Sequence, residues 1–386
     1  MKHLAALLLG LLCGCRTISL KNDPTSPARD RHVSPIALYE IDWWQPLVKL
    51  GLLEFLPAET ARPAVDPETE RIVVGTRDGM LRCLSPVDGH VEWEFKTYSR
   101  FFAGAAIDQG IVYAPGGDGV LYALKVRTGE KLWEYKAGEE LVTTPVIVGT
   151  KLLVTSQADT LFVIDTATGK WIWQYRRDQP SGMSIRGAAS PVVHDGLVYQ
   201  GFSDGSLVAM TLEEGAVKWE RKITTSGGRD FLDVDSPAVF DETGRVYVAS
   251  YKDGVSALDA KTGELAWVYN EPGITSLISR GDVLFTSGDG EVGAIHAVDG
   301  RSLWKLNLSD KQKSSNAGRA PMMLKGMLAV PTSTALIFVD PASGRARTTW
   351  NPGRGITATP TRSGARLYVL SNLGTVFAMR LKGGGN

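Results

Sequence analysis

Apolar and polar residues alternate in short runs along most of the chain. The segment Lys131–Tyr135 alternates strictly, and the apolar runs Ile111–Ala114 and Leu121–Leu124 precede it, separated by turns rich in Gly and Asp. Period-two alternation bounded by such turns is the signal of β-strands joined in hairpins. No stretch of these repeats carries the apolar stripe of a three-turn helix. The pattern therefore predicts an all-β protein built from many short strands.

This strand pattern recurs with a marker in which Gly is followed four residues later by Trp. Successive marker glycines lie 37 to 48 residues apart, and a seventh copy, Gly344 and Trp350, has two extra residues. The six regular copies are Gly89/Trp93, Gly129/Trp133, Gly169/Trp173, Gly215/Trp219, Gly263/Trp267 and Gly300/Trp304. Such a period, with four strands in each unit, is typical of the blades of a β-propeller.

Each special residue of the repeat has a physical role in this interpretation. The Gly supplies the positive φ of the hairpin before the last strand, and the Trp covers the flank of the neighbouring blade. A small residue followed by Pro recurs before the first strand of a unit, where Pro is tolerated. This element is found at Thr144-Pro145, Ser190-Pro191, Ser236-Pro237, Ala320-Pro321 and Thr359-Pro360.

The two ends of the chain predict how the ring closes. The unit Ile356–Leu381 lacks a closing Trp strand, whereas the segment Ile41–Trp44 lies upstream of the first complete unit. We expect this N-terminal strand to complete the eighth blade, since closure removes exposed sheet edges. The predicted fold is an eight-bladed β-propeller of four-stranded antiparallel blades over residues 36–382, followed by a tail at 383–386.

The first 35 residues predict that the chain is exported and attached to a membrane, and they lie outside the predicted propeller. Residues 1–14 form a short basic start and an apolar run that is too short to span a bilayer, typical of a signal peptide. The segment Leu12–Cys15 resembles a bacterial lipobox, which predicts lipidation of Cys15; an ordinary secretory signal that contains Cys is the alternative. Residues 15–35 are polar and rich in Pro, as in a flexible tether. Cys83 is then left without a disulfide partner, and we expect it to be buried.

Composition narrows the classes of function. Lys and Arg together number 42, as do Asp and Glu, so the formal net charge is zero. Nucleic-acid binding usually needs a basic surplus, and the balance argues against it. The 42 glycines among 386 residues exceed the average share, and the many hairpin turns account for much of this excess.

Several motifs imitate catalytic or ligand-binding sites. Gly201–Gly205 matches a nucleophile elbow and Gly288–Gly293 matches a dinucleotide fingerprint, but both fall at the turn of the repeat and neither precedes a helix. Asp233 and Asp235 offer too few oxygen ligands for Ca²⁺, and the histidines lack the spacing of metal ligands. We therefore expect no catalytic residue, metal or cofactor.

The segment Val255–Trp267 resembles the repeat of the PQQ-type propellers. One branch of that superfamily contains quinoprotein dehydrogenases, and another is the BamB family of lipid-anchored, non-catalytic propellers. Met183–Pro191 is similar to the BamB-family pattern apolar-x-apolar-Arg-Gly-x-x-Ala-Pro. Asp230–Pro237 is similar to a second, acidic loop of that family, and is one or two residues shorter here.

The BamB resemblance implies a partner and a location. In that family the two loops contact the periplasmic POTRA domains of BamA, the central subunit of the outer-membrane β-barrel assembly (BAM) complex. Residues carried over as the contact set are Met183, Ile185, Arg186, Asp233 and Asp235. The alternative from the residues alone is that Ile185 and Val234 pack inward and that Arg186 pairs with one of the two aspartates.

The resemblance thus implies a scaffold lipoprotein of the outer membrane that faces the periplasm. It would bind BamA and other BAM subunits, assist the folding and insertion of outer-membrane proteins, and offer sheet edges to their unfolded strands. Two other classes of function stay open. One is a PQQ-dependent quinoprotein dehydrogenase, which usually has longer insertions and often adjacent cysteines. The other is a propeller that binds a different cell-envelope partner or a glycan.

Overall fold

A computed structural model describes residues 39–49, 51, 58–179, 188–224, 232–234, 236–308 and 320–382. These residues form 32 strands and no helix. The strands assemble into eight four-stranded sheets, in which all neighbouring strands are antiparallel. The predicted all-β, eight-bladed propeller is therefore confirmed.

Four consecutive strands form each of blades 1 to 7. Blades 1 and 2 contain β2 (Ala64–Val65), β3 (Ile72–Gly75), β4 (Met80–Leu84), β5 (Val91–Lys96), β6 (Ala106–Asp108), β7 (Ile111–Pro115), β8 (Val120–Lys125) and β9 (Lys131–Lys136). Blades 3 and 4 contain β10 (Val146–Val148), β11 (Lys151–Thr155), β12 (Thr160–Asp165), β13 (Trp171–Arg176), β14 (Val192–His194), β15 (Leu197–Gly201), β16 (Ser206–Thr211) and β17 (Val217–Lys222).

Blades 5 to 8 follow the same order, and blade 8 takes its outer strand from the other end of the chain. Blades 5 and 6 contain β18 (Val239–Phe240), β19 (Arg245–Ser250), β20 (Gly254–Asp259), β21 (Leu265–Tyr269), β22 (Ile274–Arg280), β23 (Val283–Gly288), β24 (Glu291–His296) and β25 (Ser302–Asn307). Blades 7 and 8 contain β26 (Met322–Leu324), β27 (Met327–Pro331), β28 (Leu336–Val339), β29 (Ala346–Trp350), β30 (Thr361–Ser363), β31 (Arg366–Leu370), β32 (Thr375–Leu381) and β1 (Tyr39–Pro46).

The first strands of the blades surround a central channel. Strand β30 contacts β2, β2 contacts β6, β6 contacts β10, and β18 contacts β22. Between blades 8 and 1, the Thr361 hydroxyl donates a hydrogen bond of 2.5 Å to the carbonyl oxygen of Pro63. The first and last blades are therefore in direct contact, as a closed ring requires.

Strand β1 completes blade 8, as predicted, and it reproduces the geometry of a regular fourth strand. It pairs with β32, with Trp43 opposite Ala378 and a bulge between Ile41 and Trp43. A regular blade shows the same bulge just before its Trp, for example at Cys83/Leu84 opposite β5. Because the register and the bulge both match, the N-terminal strand replaces the missing closing strand in full.

The apolar core is divided among the contacts between blades. The described residues form eight buried clusters, and each cluster joins residues of two adjacent blades. Val73 and Leu81 of blade 1, for example, share a cluster with Val112 and Ala114 of blade 2. Each blade thus buries its faces only against its neighbours, which explains why the ring needs all eight.

The repeated Gly and Trp form a latch between successive blades. The Trp93 indole donates a hydrogen bond of 2.8 Å to the Val126 carbonyl of the next blade. Its ring lies against Gly129, where φ is +70° and a Cβ would come within 2.7 Å of the ring. The same contact is made by Trp43/Gly89, Trp93/Gly129, Trp133/Gly169, Trp173/Gly215, Trp219/Gly263, Trp267/Gly300 and Trp304/Gly344. The glycines therefore serve two needs, positive φ and room for the ring.

Blade 7 departs from the expectation of two inserted residues between Gly344 and Trp350. Thr348 takes the position that Trp holds in the other blades, opposite Phe338, and the bulge is in its usual place. Trp350 lies two residues further along the same strand. Its ring centroid is 5.9 Å from that of Tyr39 and 5.0 Å from that of Phe377. Because Thr348 keeps the register and the bulge of the other blades, this copy has a substitution rather than an insertion.

Candidate functional site

The hairpin Phe202–Gly205, between β15 and β16, is the centre of the candidate binding face. The Phe202 amide donates a hydrogen bond of 2.9 Å to the Ser206 carbonyl, and the Gly205 amide donates one of 3.1 Å to the Phe202 carbonyl. Gly205 has a φ of +83°, and the Asp204 carboxylate accepts from the Ser206 amide at 3.0 Å. This turn is the hairpin of the repeat, so the resemblance to a nucleophile elbow has a structural explanation.

The connection from blade 3 to blade 4 leaves β13 through Arg177, which binds this hairpin. Its Nη2 lies 2.7 Å from Asp204 Oδ2 and 2.9 Å from Glu220 Oε1, and its Nε donates to Asp204 at 3.0 Å. The guanidinium carbon is 5.7 Å from the centre of the Phe202 ring. Although burial opposes the charge, the two carboxylates raise the pKa of Arg177 above its ordinary value. Arg177 thus stays charged and joins three parts of the site.

A buried carboxylate ties the hairpin of blade 3 to that of blade 4. The Ser203 hydroxyl and amide both donate hydrogen bonds to the Asp159 carboxylate. Burial raises the pKa of Asp159, while the bonds from Ser203 act in the opposite direction. Hydrogen bonds to a charged group are typically each worth about 1.5–3 kcal/mol. The base of the first connection therefore rests on two hairpins that are bonded to each other.

The connection from blade 4 to blade 5 packs on the other side of the same hairpin. The Ile223 amide donates to the Gly205 carbonyl at 2.8 Å, and the Val234 amide donates to the Phe202 carbonyl at 3.2 Å. At Gly201 a Cβ would come within 2.3 Å of the Val234 carbonyl oxygen, so only Gly permits this approach. The described ends of the two connections consequently flank one hairpin on one face of the ring.

The structure describes only part of the predicted contact set. Met183, Ile185, Arg186 and Asp235 lie outside the described residues, as does Cys15. Asp233 is described and is only 1% exposed. Val234, also 1% exposed, packs among Tyr199 and the apolar side chains of blade 5. The inward orientation that was left open from the sequence therefore applies to Val234.

The residues that connect the two loops were not predicted from the sequence. Arg177, Asp204 and Glu220 lie in different strands or turns, and their pairing depends on the ring geometry. Asp159 did carry a signal, because it takes the turn position where neighbouring blades have Gly119 and Gly205, and its φ is +58°. A non-Gly residue with positive φ in a repeated turn is a departure that points to a specific role.

The other motifs fall where the repeat predicts. Gly288–Gly293 spans the hairpin between β23 and β24, and no helix follows it. The described residues contain no cluster of His, Cys, Asp and Glu suited to a metal ion. Cys83 is buried and free, as expected, and burial raises the pKa of its thiol to about 12. Among the described residues, no helix is long and apolar enough to cross a membrane.

Curated proteins with one shared description match about half of this chain. A similar curated protein is the outer membrane protein assembly factor BamB of Legionella pneumophila (strain Paris), 28% identical over 200 residues, which are 49% of this chain and 50% of the relative. That of Alkalilimnicola ehrlichii (strain ATCC BAA-1101 / DSM 17681 / MLHE-1) is 28% identical over 207 residues, covering 52% of each chain. The chain thus spans about half the length of the curated relatives it matches.

Solved structures give the same fold. BamB from Moraxella catarrhalis superposes with a TM-score of 0.73 and 23% identity over 87% of this chain and 99% of that one. Quinohemoprotein alcohol dehydrogenase from Comamonas testosteroni has a TM-score of 0.70 with 13% identity, over 91% of this chain and 78% of that one.

The family model described as outer membrane protein assembly factor BamB matches residues 77–305 and 234–386. On that match, which covers most of the propeller, the chain belongs to the BamB family.

Proposed function

We propose that this chain is a non-catalytic scaffold of the BAM complex, held at the periplasmic face of the outer membrane by a lipid on Cys15. Membership of the BamB family supports the role. The lipobox-like segment Leu12–Cys15, behind a signal-type apolar run, supports the anchor. In this role the protein assists the folding and insertion of outer-membrane proteins by holding other components in place.

We further propose that the connections around 180–187 and 225–235 bind the POTRA domains of BamA. The observation that carries this proposal is that the first connection begins, and the second both begins and ends, beside the hairpin Phe202–Gly205 on one face of the ring. Side chains from two loops with one common support can form a continuous contact surface. Met183 and Ile185 would supply apolar anchors, and Arg186 a charged one, as in many interface hot spots.

The network beneath the loops supports binding through pre-organisation. Arg177, held by Asp204 and Glu220, fixes the point where the first connection leaves blade 3. Val234, buried against blade 5, fixes the second connection near its end. A surface whose supports are already ordered loses less conformational entropy when a partner binds.

The outer strands offer a contact for unfolded outer-membrane proteins. Trp171, Val217 and Leu265 occupy equivalent positions on the outer strands of blades 3, 4 and 5, and all three are exposed. An outer strand has one unpaired edge, to which an extended segment can add by β-augmentation. We propose that unfolded substrate strands pair with these edges.

Photo-crosslinking in membranes tests the proposed partner. A photoreactive amino acid at Ile185 is expected to yield a crosslinked product with BamA, identified by mass spectrometry. The same group at Arg127 is the control, because this exposed residue lies in the β8–β9 hairpin, at the opposite face of the ring. No BamA product at position 185, or equal yields at both positions, would contradict the proposal. Bound PQQ in the purified protein would instead favour a quinoprotein.

A further inference from the structure

The central channel contains a cavity of about 550 Å³ along the first strands of blades 8, 1, 2 and 3. Its lining includes the cation Arg62, the hydroxyls of Thr144 and Thr361, and the carboxylate of Asp108. The cavity lies along the inner strands of the ring. None of the residues assigned to partner binding lines it.

Arg62 departs from the pattern of the residues around it. Just before the first strand, the other blades place small residues, such as Gly104, Thr144 and Thr359. Blade 1 has Arg62 followed by Pro63 at this point, in the same way that Thr144 precedes Pro145. The small residues leave the channel open, and one long cationic side chain projects among them.

The neighbouring blade accommodates this side chain. A Cβ at Gly104 would come within 2.5 Å of Arg62 Cγ and within 2.6 Å of the Arg62 carbonyl oxygen. Gly104 has no positive φ that would require Gly for the backbone itself. The absence of a side chain at this position therefore provides the space in which the aliphatic part of Arg62 lies.

The guanidinium of Arg62 has no counterion among the residues that the structure describes. No carboxylate of that set lies within 4.0 Å of it, and the carboxylate of Glu59, three residues upstream, is bonded to Arg77. Asp108 also lines the cavity, but it forms no ion pair with Arg62. The side chain is exposed to the channel solvent, yet the surrounding protein lowers the pKa of Arg62 through desolvation.

We propose that the channel binds a small solute through an oxyanion group, a carboxylate or a phosphate, held by the guanidinium of Arg62. The planar fork of an Arg matches two oxygens of either group. The protein walls strengthen the attraction relative to a surface site, because a cleft with low-dielectric walls focuses the field of the charge. The hydroxyl of Thr144, in the same lining, is a further donor for such a group.

Nuclear magnetic resonance of the Arg side chains tests the site directly. Inorganic phosphate is added to the ¹⁵N-labelled full mature chain in chloride-free buffer, and the Nε–H signal of Arg62 is assigned from the Arg62→Gln variant. We expect a saturable shift of this signal at millimolar phosphate, and the same titration with succinate shows whether a carboxylate serves as well. An unchanged Arg62 signal with both anions would overturn the proposal.

Two further variants and a control distinguish specific binding at Arg62 from nonspecific attraction of anions to positive charge. Arg62→Lys keeps the charge but loses the fork, and should weaken binding at least threefold. Gly104→Ala should displace the Arg62 side chain and weaken binding by a similar factor. Arg362→Gln is the control, since Arg362 lies on the neighbouring strand β30 but already donates to the Gly364 carbonyl at 2.9 Å. Equal affinity in Arg62→Lys, or equal losses in Arg62→Lys and Arg362→Gln, would refute a specific site. BamA binding is not used as a readout, so this test is independent of the proposed function.

Discussion

The latch that closes the ring can be tested with two adjacent tryptophans. Trp43 is 8% exposed, its indole donates to the Pro86 carbonyl at 3.2 Å, and its ring lies against Gly89 of blade 1. Trp44 is the next residue of the same strand, but 61% of it is exposed. Replacing each with Ala compares a buried latch with an exposed side chain of the same chemistry.

The expected loss of stability follows from the burial of the Trp43 side chain and from the loss of its hydrogen bond. Removal of a buried Trp side chain typically lowers the free energy of unfolding by about 3–5 kcal/mol. A substitution at an exposed position such as Trp44 usually changes it by about 0.5 kcal/mol or less. At an m-value of about 3 kcal/mol per molar urea, Trp43→Ala should lower the unfolding midpoint by about 1 M or more.

Urea unfolding, followed by circular dichroism of the strands, measures both variants. Trp43→Ala should unfold at a clearly lower urea concentration, and Trp44→Ala should match the wild type. Because Trp43 belongs to the strand that completes blade 8, a small effect would mean that β1 does not hold the ring closed. Equal midpoints for the two variants would therefore refute the latch and the closure together.

A double-mutant cycle with Gly89 isolates the contact itself. Gly89→Ala places a Cβ within 2.4 Å of the Trp43 ring and imposes a φ of +76° on Ala. The backbone cost of about 1–2 kcal/mol remains in any background, whereas the clash disappears when Trp43 is already Ala. We expect the double variant to lose about 0.5–3 kcal/mol less than the sum of the single losses. Strict additivity would show that the ring and the glycine do not interact.

Three further predictions concern single side chains. Burial raises the pKa of Glu59 from 4.5 to about 7 despite its bond to Arg77. The folded state therefore binds more protons between these values, so the free energy of unfolding should fall by about 1–3 kcal/mol as pH rises from 4.5 to 7; a urea series should show this fall in the wild type and not in Glu59→Gln. With its thiol pKa raised to about 12, Cys83 should resist alkylation at pH 8 until denaturant is added, and rapid labelling of the folded protein would contradict its burial. Arg177→Gln should weaken BamA binding several-fold with a loss of folding stability of about 1–3 kcal/mol, and unchanged affinity would show that the network beneath the loops does not support the interface.

The repeat made most of the fold predictable from the sequence. Each Gly and Trp marks the same point of a blade, so the number of blades and their strand order follow from counting. The role of the strand that contains Trp43 could be inferred because the last repeat unit lacks a closing strand, whereas an additional strand precedes the first complete unit. Blade 7 was misinterpreted, because a Thr at position 348 hides the register that hydrogen bonding makes plain.

The candidate site was less predictable because its contacts join distant blades. Arg177 and Glu220 are 43 positions apart, and nothing in the spacing indicates that their side chains meet. The burial of Val234 depends on how closely the second connection approaches the Gly201 backbone, which a strand pattern does not encode. Asp159, at the turn position where the two neighbouring blades have Gly, was the one local sign that these hairpins differ from the others.

The dissociation constant of purified full-length BamA for this chain tests the central claim most directly. Arg186→Glu reverses the charge of the expected anchor, and Arg127→Glu makes the same change at the opposite face. Removal of a hot-spot side chain typically costs about 2 kcal/mol or more, which corresponds to a roughly 30-fold weaker complex. We predict that loss for Arg186→Glu and unchanged affinity for Arg127→Glu, whereas equal affinity of wild type and Arg186→Glu would contradict the proposed binding face.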